Sequence, residues 1–406
     1  MTNNTNTHVA KSPLGKQRSA LANLGVKAPL RGLRVLTLNQ PKKIVFGANI
    51  LQQLPEDLQS SGYKRVLILF TSPLRNVVNT LIPSFDNLSI LTQSLEYAFG
   101  EPTVDYFHSL LEEGQEFHPD CVVGIGGGSV LDTAKLIAAL LDGEQKISEV
   151  FGKNLLSGRN IGLICVPTTS GTGSEVSPNA ILLDESDSEK KGIISPFLLP
   201  DACYIDPVLM TGLPPKITAE TAMDALSHCI EAYTNKFSHP VVDNYALAGI
   251  KLIVENLETA YKDGQNPEAR SALALGSMYG GLCLGPVNTA AVHALSYGLG
   301  GKYHISHGLA NAVLLPEVMK FNLDAAPEKY AKIAFTIGEN TALEGIAKIK
   351  SLSTACGIPQ KISDIGIESS EVENLADLAM KVTRLLVNNP REVTRADAIN
   401  IYTELL

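Results

Sequence analysis

The sequence predicts an α/β domain built on a parallel sheet, followed by an all-helical domain. Between residues 44 and 207, short apolar runs rich in β-branched residues alternate with helical stretches. After the Gly-Leu-Pro-Pro break at residues 212–215, strand-like runs become scarce and helical periodicity dominates. A chain of 406 residues is also too long for one ordinary core. We therefore expect an N-terminal extension at residues 1–35, an α/β domain at 36–212 and a helical domain at 213–406.

Three strands of the first domain are predicted from continuous apolar runs at residues 65–70, 120–125 and 161–166. Runs that are apolar at every position are typical of a parallel sheet covered on both faces. The intervening stretches 103–116 and 129–141 have helical periodicity. This alternation of strand and helix indicates a doubly wound, Rossmann-like sheet.

The second half of the chain is predicted to be helical throughout. We interpret residues 282–297 as one apolar helical run, ended by the glycines at 298–301. A cleft between an α/β domain and a helical domain is a common ligand site. The other predicted helices span residues 219–233, 241–261, 268–284, 309–321, 328–337 and 396–405.

Composition and charge exclude several classes of partner. The formal net charge is −9, and no long basic run occurs in the body of the chain, which argues against nucleic acid as a partner. No apolar stretch approaches the roughly 20 residues that cross a bilayer, so we expect no membrane partner. The six cysteines are scattered, without a Cys-x-x-Cys pair. Buried free thiols in a reducing compartment explain them best, and we expect a cytoplasmic protein.

The N-terminal extension is basic: eight lysines and arginines precede the first acidic residue, Glu56, and six of them lie within residues 1–35. An acid-free N-terminus that contains arginine can be a mitochondrial targeting segment. The first residues are rich in Asn and Thr and polar rather than amphipathic, which favours a disordered or docking tail.

A glycine-rich turn marks a candidate phosphate site. Gly126, Gly127, Gly128 and Ser129 follow a predicted strand and open a predicted helix. Residues without side chains let backbone N–H groups approach a pyrophosphate, and the helix N-terminus adds partial positive charge. The alternative is a tight turn without a ligand.

A second candidate ligand loop follows the next predicted strand, at residues 167–175. Its sequence Pro-Thr-Thr-Ser-Gly-Thr-Gly-Ser-Glu is dense in hydroxyl groups and glycines. The hydroxyls of Thr168, Thr169 and Thr172, together with exposed amides, can hold phosphate or ribose oxygens. Taken alone, the segment is also compatible with a flexible surface loop.

Four side chains in the helical half form a candidate metal site. Asp224 and His228 are four residues apart on a predicted helix, so both project from one face. An ordinary Asp–His hydrogen bond would explain that pair alone. His293 and His307 follow in two neighbouring segments, and one Asp with three His is a suitable ligand set for Fe²⁺ or Zn²⁺.

These motifs, in this order, resemble those of the iron-containing (group III) alcohol dehydrogenases. The resemblance runs from about Pro41 to the end of the chain. It includes Gly-Gly-Gly-Ser-Val-Leu-Asp-Thr-Ala-Lys at 126–135, the 167–175 loop, the Asp-x-x-x-His pair and Asn-Pro-Arg at 389–391. It implies a dehydroquinate synthase-like two-domain fold and a homodimer.

The resemblance also implies roles for individual residues. Asp224, His228, His293 and His307 match the family's metal ligands. The pyrophosphate is expected on the turn at 126–129, with Asp132 in the same motif. Thr168, Thr169 and Thr172 are expected around the nucleotide. A lysine of the following segment reaches the cofactor in the family; Lys190 fits best, with Lys191 adjacent.

Two positions depart from the family's pattern. Many relatives carry a further histidine four residues after the third ligand, where this chain has Tyr297. His304 either takes over part of that histidine's role, including proton transfer, or simply lines the cleft. NAD-preferring relatives often place an Asp after the second strand, where this chain has Thr71 and then Arg75. NADP and NAD therefore both remain open as the cofactor.

The expected function is metal-dependent hydride transfer between a small alcohol, or its aldehyde or ketone, and NAD(P). Two other interpretations are kept. One is a hydroxyacid-oxoacid transhydrogenase, which would turn over without added NAD. The other is a dehydroquinate synthase-like lyase, which would need further Lys and Arg residues near the metal for a phosphorylated substrate.

Overall fold

The first half of the chain folds around a six-stranded parallel sheet. The computed structural model describes residues 34–98, 100–186 and 189–406. Within these residues the strands are β1 (Lys43–Phe46), β2 (Arg65–Thr71), β3 (Leu91–Tyr97), β4 (Cys121–Gly126), β5 (Gly152–Lys153), β6 (Gly162–Pro167), β7 (Asn179–Asp184), β8 (Glu189–Ile194) and β9 (Ala202–Ile205). The large sheet has the order β1-β9-β6-β4-β2-β3, and its neighbouring strands are parallel. The three predicted strands are confirmed as β2, β4 and β6.

Both faces of the central strands β2, β4 and β6 are buried, which explains their apolar runs. The helices of the first half are α1 (Leu54–Ser60), α2 (Arg75–Asn87), α3 (Val104–Phe117) and α4 (Gly128–Leu140). On β2, Leu67 and Leu69 belong to a core cluster that includes residues of α3 and α4. Ile68 and Phe70 belong to a second cluster, which includes residues of α1 and α2. The predicted helices at 103–116 and 129–141 are confirmed as α3 and α4.

The carboxyl edge of β4 and β6 brings the two candidate ligand loops together. In the parallel register, Gly126 lies beside Pro167, and the Thr168 amide donates to the Gly126 carbonyl at 3.0 Å. The glycine turn and the 168–175 loop therefore leave the sheet side by side. Ligands of open α/β sheets bind in the crevice outside such an edge.

A small second sheet was not predicted. It has the order β5-β8-β7, with β7 and β8 antiparallel. Strand β8 has the sequence Glu-Lys-Lys-Gly-Ile-Ile, whose first positions are polar, so apolar periodicity gave no signal for it. This hairpin carries Lys190.

The second half of the described chain is helical, as predicted. Its helices are α5 (Pro215–Thr234), α6 (Pro240–Lys262), α7 (Pro267–Leu284), α8 (Ala291–Tyr303), α9 (His307–Asn322), α10 (Pro327–Thr336), α11 (Ala342–Ala355), α12 (Val372–Lys381), α13 (Thr383–Leu386) and α14 (Arg395–Glu404). Helix α5 is buried over most of its length and packs against α6, α7 and α9. Among the described residues, none of the helices combines the length and apolar character needed to cross a membrane.

The predicted continuous helical run at 282–297 was wrong. Helix α7 ends at Leu284 and α8 begins at Ala291, and the connection contains Pro286, which has no N–H to donate, and Asn288 at φ 65°. The glycines at 298–301 do not end the helix either. A Cβ on Gly298 would lie 3.0 Å from the Leu375 side chain, so the missing side chain permits close packing of α12.

Residues 37–406 form one compact unit. The boundary that we predict near residue 212 lies between β9 and α5, and its position stays a prediction. The predicted N-terminal extension lies, up to residue 33, outside the described residues.

Candidate metal centre and cofactor cleft

Three imidazole nitrogens converge on one carboxylate oxygen in the helical half. Asp224 Oδ1 lies 3.8 Å from His228 Nε2, 3.6 Å from His293 Nε2 and 3.7 Å from His307 Nε2. Ligand atoms of Asp224, His228 and His293 all lie within 4.8 Å of one another. The structure therefore brings the four predicted metal ligands together.

The interior of one helix and the N-termini of two others position these side chains. Asp224 and His228 project from one face of α5, His293 lies in the first turn of α8, and His307 is the first residue of α9. The His228 ring stacks on His293 with centroids 4.8 Å apart, and the His307 ring meets His293 edge-on at 5.3 Å. Asp224, His228 and His293 are buried, whereas the His307 side chain is 31% exposed. The group is thus closed except on the side of His307.

Glu231 orients His293 and was missed from the sequence. Its Oε2 lies 2.6 Å from His293 Nδ1, and its Oε1 accepts a hydrogen bond of 2.6 Å from the Val292 amide. A carboxylate beside Nδ1 holds a proton there and orients the ring with Nε2 toward Asp224. The available signal was helical spacing, because Glu231 lies three residues after His228 and seven after Asp224 on α5.

Asn311 is a second contact that the sequence analysis missed. Its Nδ2 donates to Asp224 Oδ1 at 2.7 Å and lies 3.2 Å from the Nε2 atoms of both His293 and His307. Its Oδ1 is buried without a hydrogen-bond partner among the described residues. Asn311 lies one turn after His307 on α9, where the spacing alone did not distinguish it from a core residue.

The electrostatics of Asp224, His228 and His307 favour the protonation states in which these groups bind metals. Burial would raise the pKa of Asp224, but the neighbouring imidazoles outweigh burial and lower it. Burial lowers the pKa of His228, and burial with the charges of His293 and Lys190 lowers the pKa of His307 to about 3. Both imidazoles are therefore neutral at pH 7, the form that binds metals.

His293 differs because it lies between two carboxylates. Burial lowers its pKa, but Glu231 and Asp224 outweigh burial and raise the pKa to about 9. A buried carboxylate with three converging imidazoles is a donor set that suits a divalent ion of borderline softness. The residues present therefore fit Fe²⁺ or Zn²⁺.

A cleft of about 590 Å³ connects this group to the glycine turn. Both halves of the fold line it. All four predicted metal ligands line it, together with His304 and the predicted cofactor residues Gly127, Gly128, Ser129, Asp132, Thr169, Thr172 and Lys190. Of the other predicted cofactor residues, Gly126, Thr168 and Thr71 are not among the described residues that line it.

The glycine turn is shaped by close contacts. A Cβ on Gly128 would lie 2.6 Å from the Thr172 side chain, and one on Gly126 would lie 2.7 Å from Val130. Helix α4 begins at Gly128, so its first backbone N–H groups have no partner within the helix. The arrangement offers unpartnered donors at a helix N-terminus beside a ligand-sized cleft.

Asp132 holds the second ligand loop in place. Its Oδ1 accepts from Ser174 Oγ at 2.5 Å, and its Oδ2 accepts from the Ile181 amide at 3.0 Å. Lys135 Nζ lies 3.9 Å from Oδ1. Both carboxylate oxygens are thus engaged by protein groups, and in this structure Asp132 connects α4 to the loop and to β7.

Lys190 and its neighbour point to opposite sides of the hairpin. Lys190 lines the cleft, where its Nζ pairs with Glu101 Oε1 at 2.6 Å and its side chain is 5% exposed. Lys191 pairs with Asp184 at 2.6 Å. This alternation along β8 supports the choice of Lys190 over Lys191.

An acidic residue beside the end of β2 was not predicted from the sequence. Glu96, near the end of β3, accepts a hydrogen bond from Ser72 and pairs with Arg75. The predicted residue Thr71 lies in register with Tyr97. The carboxylate at the end of β2 therefore comes from the neighbouring strand β3, whereas the family's pattern places an Asp in the segment after β2.

Comparison with known proteins identifies the fold and the site together. The family model for iron-containing alcohol dehydrogenase matches residues 41–207, and the C-terminal model of the Fe-containing alcohol dehydrogenase family matches residues 218–406. The chain belongs to the iron-containing alcohol dehydrogenase family. It is therefore an oxidoreductase of the NAD-dependent class that acts on alcohols or aldehydes.

Individual relatives of this alcohol dehydrogenase family cover nearly the whole chain. The 1,3-propanediol dehydrogenase of Citrobacter freundii is 34% identical over 376 residues, 90% of this chain and 97% of its own length. The sulfoacetaldehyde reductase of Bilophila wadsworthia is 32% identical, covering 87% and 95%. The crystal structure of sulfoacetaldehyde reductase from Bifidobacterium kashiwanohense with NAD⁺ superposes with a TM-score of 0.86 at 26% identity, covering 92% and 99%.

Family membership confirms the resemblance seen in the sequence. The N-terminal α/β and C-terminal helical architecture is that of iron-containing alcohol dehydrogenases, and the grouped Asp224, His228 and His293 are the family's kind of metal site. Membership favours the dehydrogenase interpretation over the lyase.

Proposed function

We propose that this chain is a metal-dependent dehydrogenase that interconverts a short alcohol and its aldehyde or ketone with NAD. One observation carries the proposal. The three imidazoles that converge on Asp224 lie in the same cleft as the half-buried helix N-terminus at Gly128. A reacting oxygen and a dinucleotide can therefore be held in one enclosed space.

The four metal ligands and Glu231 have distinct roles in this proposal. Asp224, His228 and His293 hold the ion from the buried side, and Glu231 fixes the His293 ring. His307 completes the set on the side that faces the cleft. Fe²⁺ or Zn²⁺, when bound, supplies the Lewis acidity that lowers the pKa of an alcohol hydroxyl.

The α/β half is proposed to hold the cofactor. The amides of Gly127, Gly128 and Ser129 suit the pyrophosphate, and the hydroxyls of Thr169 and Thr172 suit the nucleotide. Lys190, which is paired with Glu101, is proposed to contact the cofactor at the metal end of the cleft. Bound NAD supplies the hydride acceptor in one direction and the donor in the other.

His304 is proposed to exchange a proton with solvent. It ends α8 in a left-handed conformation at φ 55°, lines the cleft and is exposed. The side chain therefore lies between the cleft and solvent, and an imidazole has both a hydrogen-bond donor and an acceptor position. The alternative, a histidine that only lines the cleft, predicts that His304→Gln leaves the pH profile of kcat unchanged.

NAD is the proposed cofactor in preference to NADP. Glu96 pairs with Arg75 at the end of the second strand, the position where a carboxylate meets the ribose of NAD in related sheets. The pair removes Arg75 as a free partner for a 2′-phosphate, and the Glu96 carboxylate would repel one.

We also propose an assembly and a location for the protein. The family resemblance implies a homodimer, which light scattering of the purified protein tests directly. The six cysteines of the sequence are free and buried. Free thiols are typical of a reducing compartment, which supports the cytoplasm.

The deciding experiment measures NADH and NADPH oxidation with short aldehydes after the protein is stripped of metal and reloaded. Reduction that requires Fe²⁺ or Zn²⁺ and is lost in Asp224→Ala, together with the metal, is the expected result. Full activity and metal content in Asp224→Ala would reject the proposal. Turnover of a hydroxy acid with an oxo acid without added NAD would instead establish the transhydrogenase.

A further inference from the structure

The guanidinium of Arg384 lies on the metal side of the cleft. Arg384, in α13, donates from Nη2 to the Tyr297 hydroxyl at 2.6 Å, and its Cζ lies 5.6 Å from the Tyr297 ring centroid. Within the described part of the chain no carboxylate pairs with it. The side chain is exposed and lines the cleft.

Tyr297 connects this guanidinium to the metal centre. It lies one helical turn after His293 on α8, and its ring centroid is 6.5 Å from that of His307. Tyr297 is also the position where the sequence departs from the family's pattern. Tyr297 is therefore the residue that links Arg384 to His307, the metal ligand that faces the cleft.

The opposite wall of this region is β8. A Cβ on Gly192 would lie 3.4 Å from Arg384 Nη2, so the missing side chain leaves room for the guanidinium. Lys190, two residues earlier, projects from the same face of β8, since strand side chains alternate. Its charge is already paired with Glu101.

A second cleft of about 660 Å³ adjoins the first and shares Arg384, Tyr297 and Lys190 with it. It is also lined by Lys302 and Lys381. Lys302 pairs with Glu371 at 2.5 Å, and Lys381 pairs with Glu189 at 3.5 Å. Of the Lys and Arg side chains that line it, the three lysines thus have carboxylate partners, and Arg384 has none among the described residues.

We propose that Arg384, held by Tyr297, binds an anionic group at the end of the substrate distal to the reacting carbon. The proposed substrate class is a short aldehyde or alcohol that carries a carboxylate, sulfonate or phosphonate. Only one guanidinium nitrogen is engaged by Tyr297, and a guanidinium binds such oxyanions with two parallel hydrogen bonds. The inference rests on the proposed function, because it places the reacting oxygen at the metal centre.

The test compares matched aldehydes on the metal-loaded protein with NADH. The first pair is 4-oxobutanoate and its methyl ester, which differ in charge and little in shape. Sulfoacetaldehyde and phosphonoacetaldehyde distinguish the class of anion. We expect kcat/KM for 4-oxobutanoate or for one of the other anions to exceed that for the ester by at least tenfold.

The variant Arg384→Met keeps the apolar stem and removes the charge. We expect it to lower kcat/KM for the preferred anionic aldehyde by about 10- to 100-fold, mainly through KM, as for a lost charge-assisted hydrogen bond. The neutral ester should change by less than twofold. Arg384→Lys should recover only part of the loss, because an ammonium cannot bind in the two-pronged manner. Lys381→Met, which removes a paired cation from the same cleft, is the matched control.

Several results would overturn the inference while leaving the proposed function intact. One is equal kcat/KM for the anionic aldehydes and the ester in the native protein. Another is an equal loss of kcat/KM for both kinds of aldehyde in Arg384→Met. A third is that Arg384→Met raises the KM for NADH and not the KM for the aldehyde. The last would assign Arg384 to a cofactor phosphate. No turnover of any aldehyde at full metal content would reject the proposed function instead.

The inference can then still be tested by binding alone. Calorimetry with unreactive succinate and propane-1-sulfonate should show binding to the native protein. Binding should weaken by at least tenfold in Arg384→Met. Equal affinity in both proteins would reject the role of Arg384.

Discussion

The His293 imidazole is held between two carboxylates, and the nearer one, Glu231, fixes the orientation of the ring. Glu231 lies 2.6 Å from Nδ1, whereas Asp224 Oδ1 is 3.6 Å from Nε2. Partners that orient a ligand in this way contribute to metal affinity without touching the ion. At the scale of single residues, Glu231 is therefore as informative a test of the site as the ligands themselves.

We expect Glu231→Gln to lower the affinity for Fe²⁺ or Zn²⁺ by about 10- to 100-fold, because an amide holds the Nδ1 proton less strongly than a carboxylate. The affinity is measured by competition with a chelator and by metal analysis. Glu255→Gln, on the exposed side of α6, is the control. Unchanged affinity in Glu231→Gln would show that the contact does not orient the ligand.

A second residue-scale prediction concerns cofactor choice. Glu96→Gln removes the charge that pairs with Arg75 and frees the guanidinium for a 2′-phosphate. The ratio of kcat/KM for NADPH to that for NADH should rise by roughly tenfold, the size of one charge-assisted contact. Glu112→Gln, exposed on α3, should leave the ratio unchanged. An unaltered ratio in Glu96→Gln would place the ribose elsewhere.

At the scale of elements, Asp201 joins the start of β9 to its neighbours. Its carboxylate accepts from Arg159 at 2.7 Å, from Lys42 at 2.8 Å and from the Leu163 amide at 3.0 Å. Burial would raise the pKa of Asp201, but the hydrogen bonds from Arg159 and Lys42 outweigh burial and lower it. A lowered folded-state pKa stabilises the protein above the unfolded-state value of about 3.9.

Asp201→Asn should therefore lower the free energy of unfolding at pH 7 by about 2 kcal/mol. The difference from the native protein should be complete above about pH 5 and shrink as the pH falls through 3.9 toward the folded-state pKa, because the native carboxylate then becomes protonated. Urea unfolding at a series of pH values measures it, with Asp364→Asn as an exposed control. A difference independent of pH would exclude the ionic contribution.

Elements also show how far the sequence could predict this fold. Strands β2, β4 and β6 were predictable because both of their faces are covered and their central positions are all apolar. The β7–β8 hairpin was not, since its second strand begins with polar residues. The end of α7 at Leu284 was missed because apolar residues continue beyond it, and the glycines of α8 permit helix packing rather than a break.

The candidate site divides in the same way. The four converging ligands followed from helical spacing and the family's motifs. Glu231 carried a helical-spacing signal that was not used. Asn311, Glu96 and Arg384 reach the site through tertiary contacts between distant segments, and no local pattern marks such contacts. The residues that tune the site were therefore harder to predict than those that build it.

At the scale of the whole molecule, the metal ligands come from separate stretches of chain. Asp224 and His228 lie on α5, whereas His293 and His307 lie on α8 and α9. A bound ion joins these helices in the folded state only, so it should stabilise that state according to its concentration and affinity. The ion is thus part of the helical core as well as of the chemistry.

The burial of this centre has a kinetic consequence. Of the four ligands, only His307 is partly exposed, so the ion must enter and leave through the cleft. The same cleft is the proposed binding site of NAD. We expect saturating NAD to slow the loss of Fe²⁺ or Zn²⁺ to EDTA severalfold, measured by metal analysis over time, whereas adenosine alone should protect less. Equal rates of metal loss with and without NAD would indicate an exit path separate from the cofactor cleft. Slower loss would mean that bound dinucleotide retains the metal between turnovers.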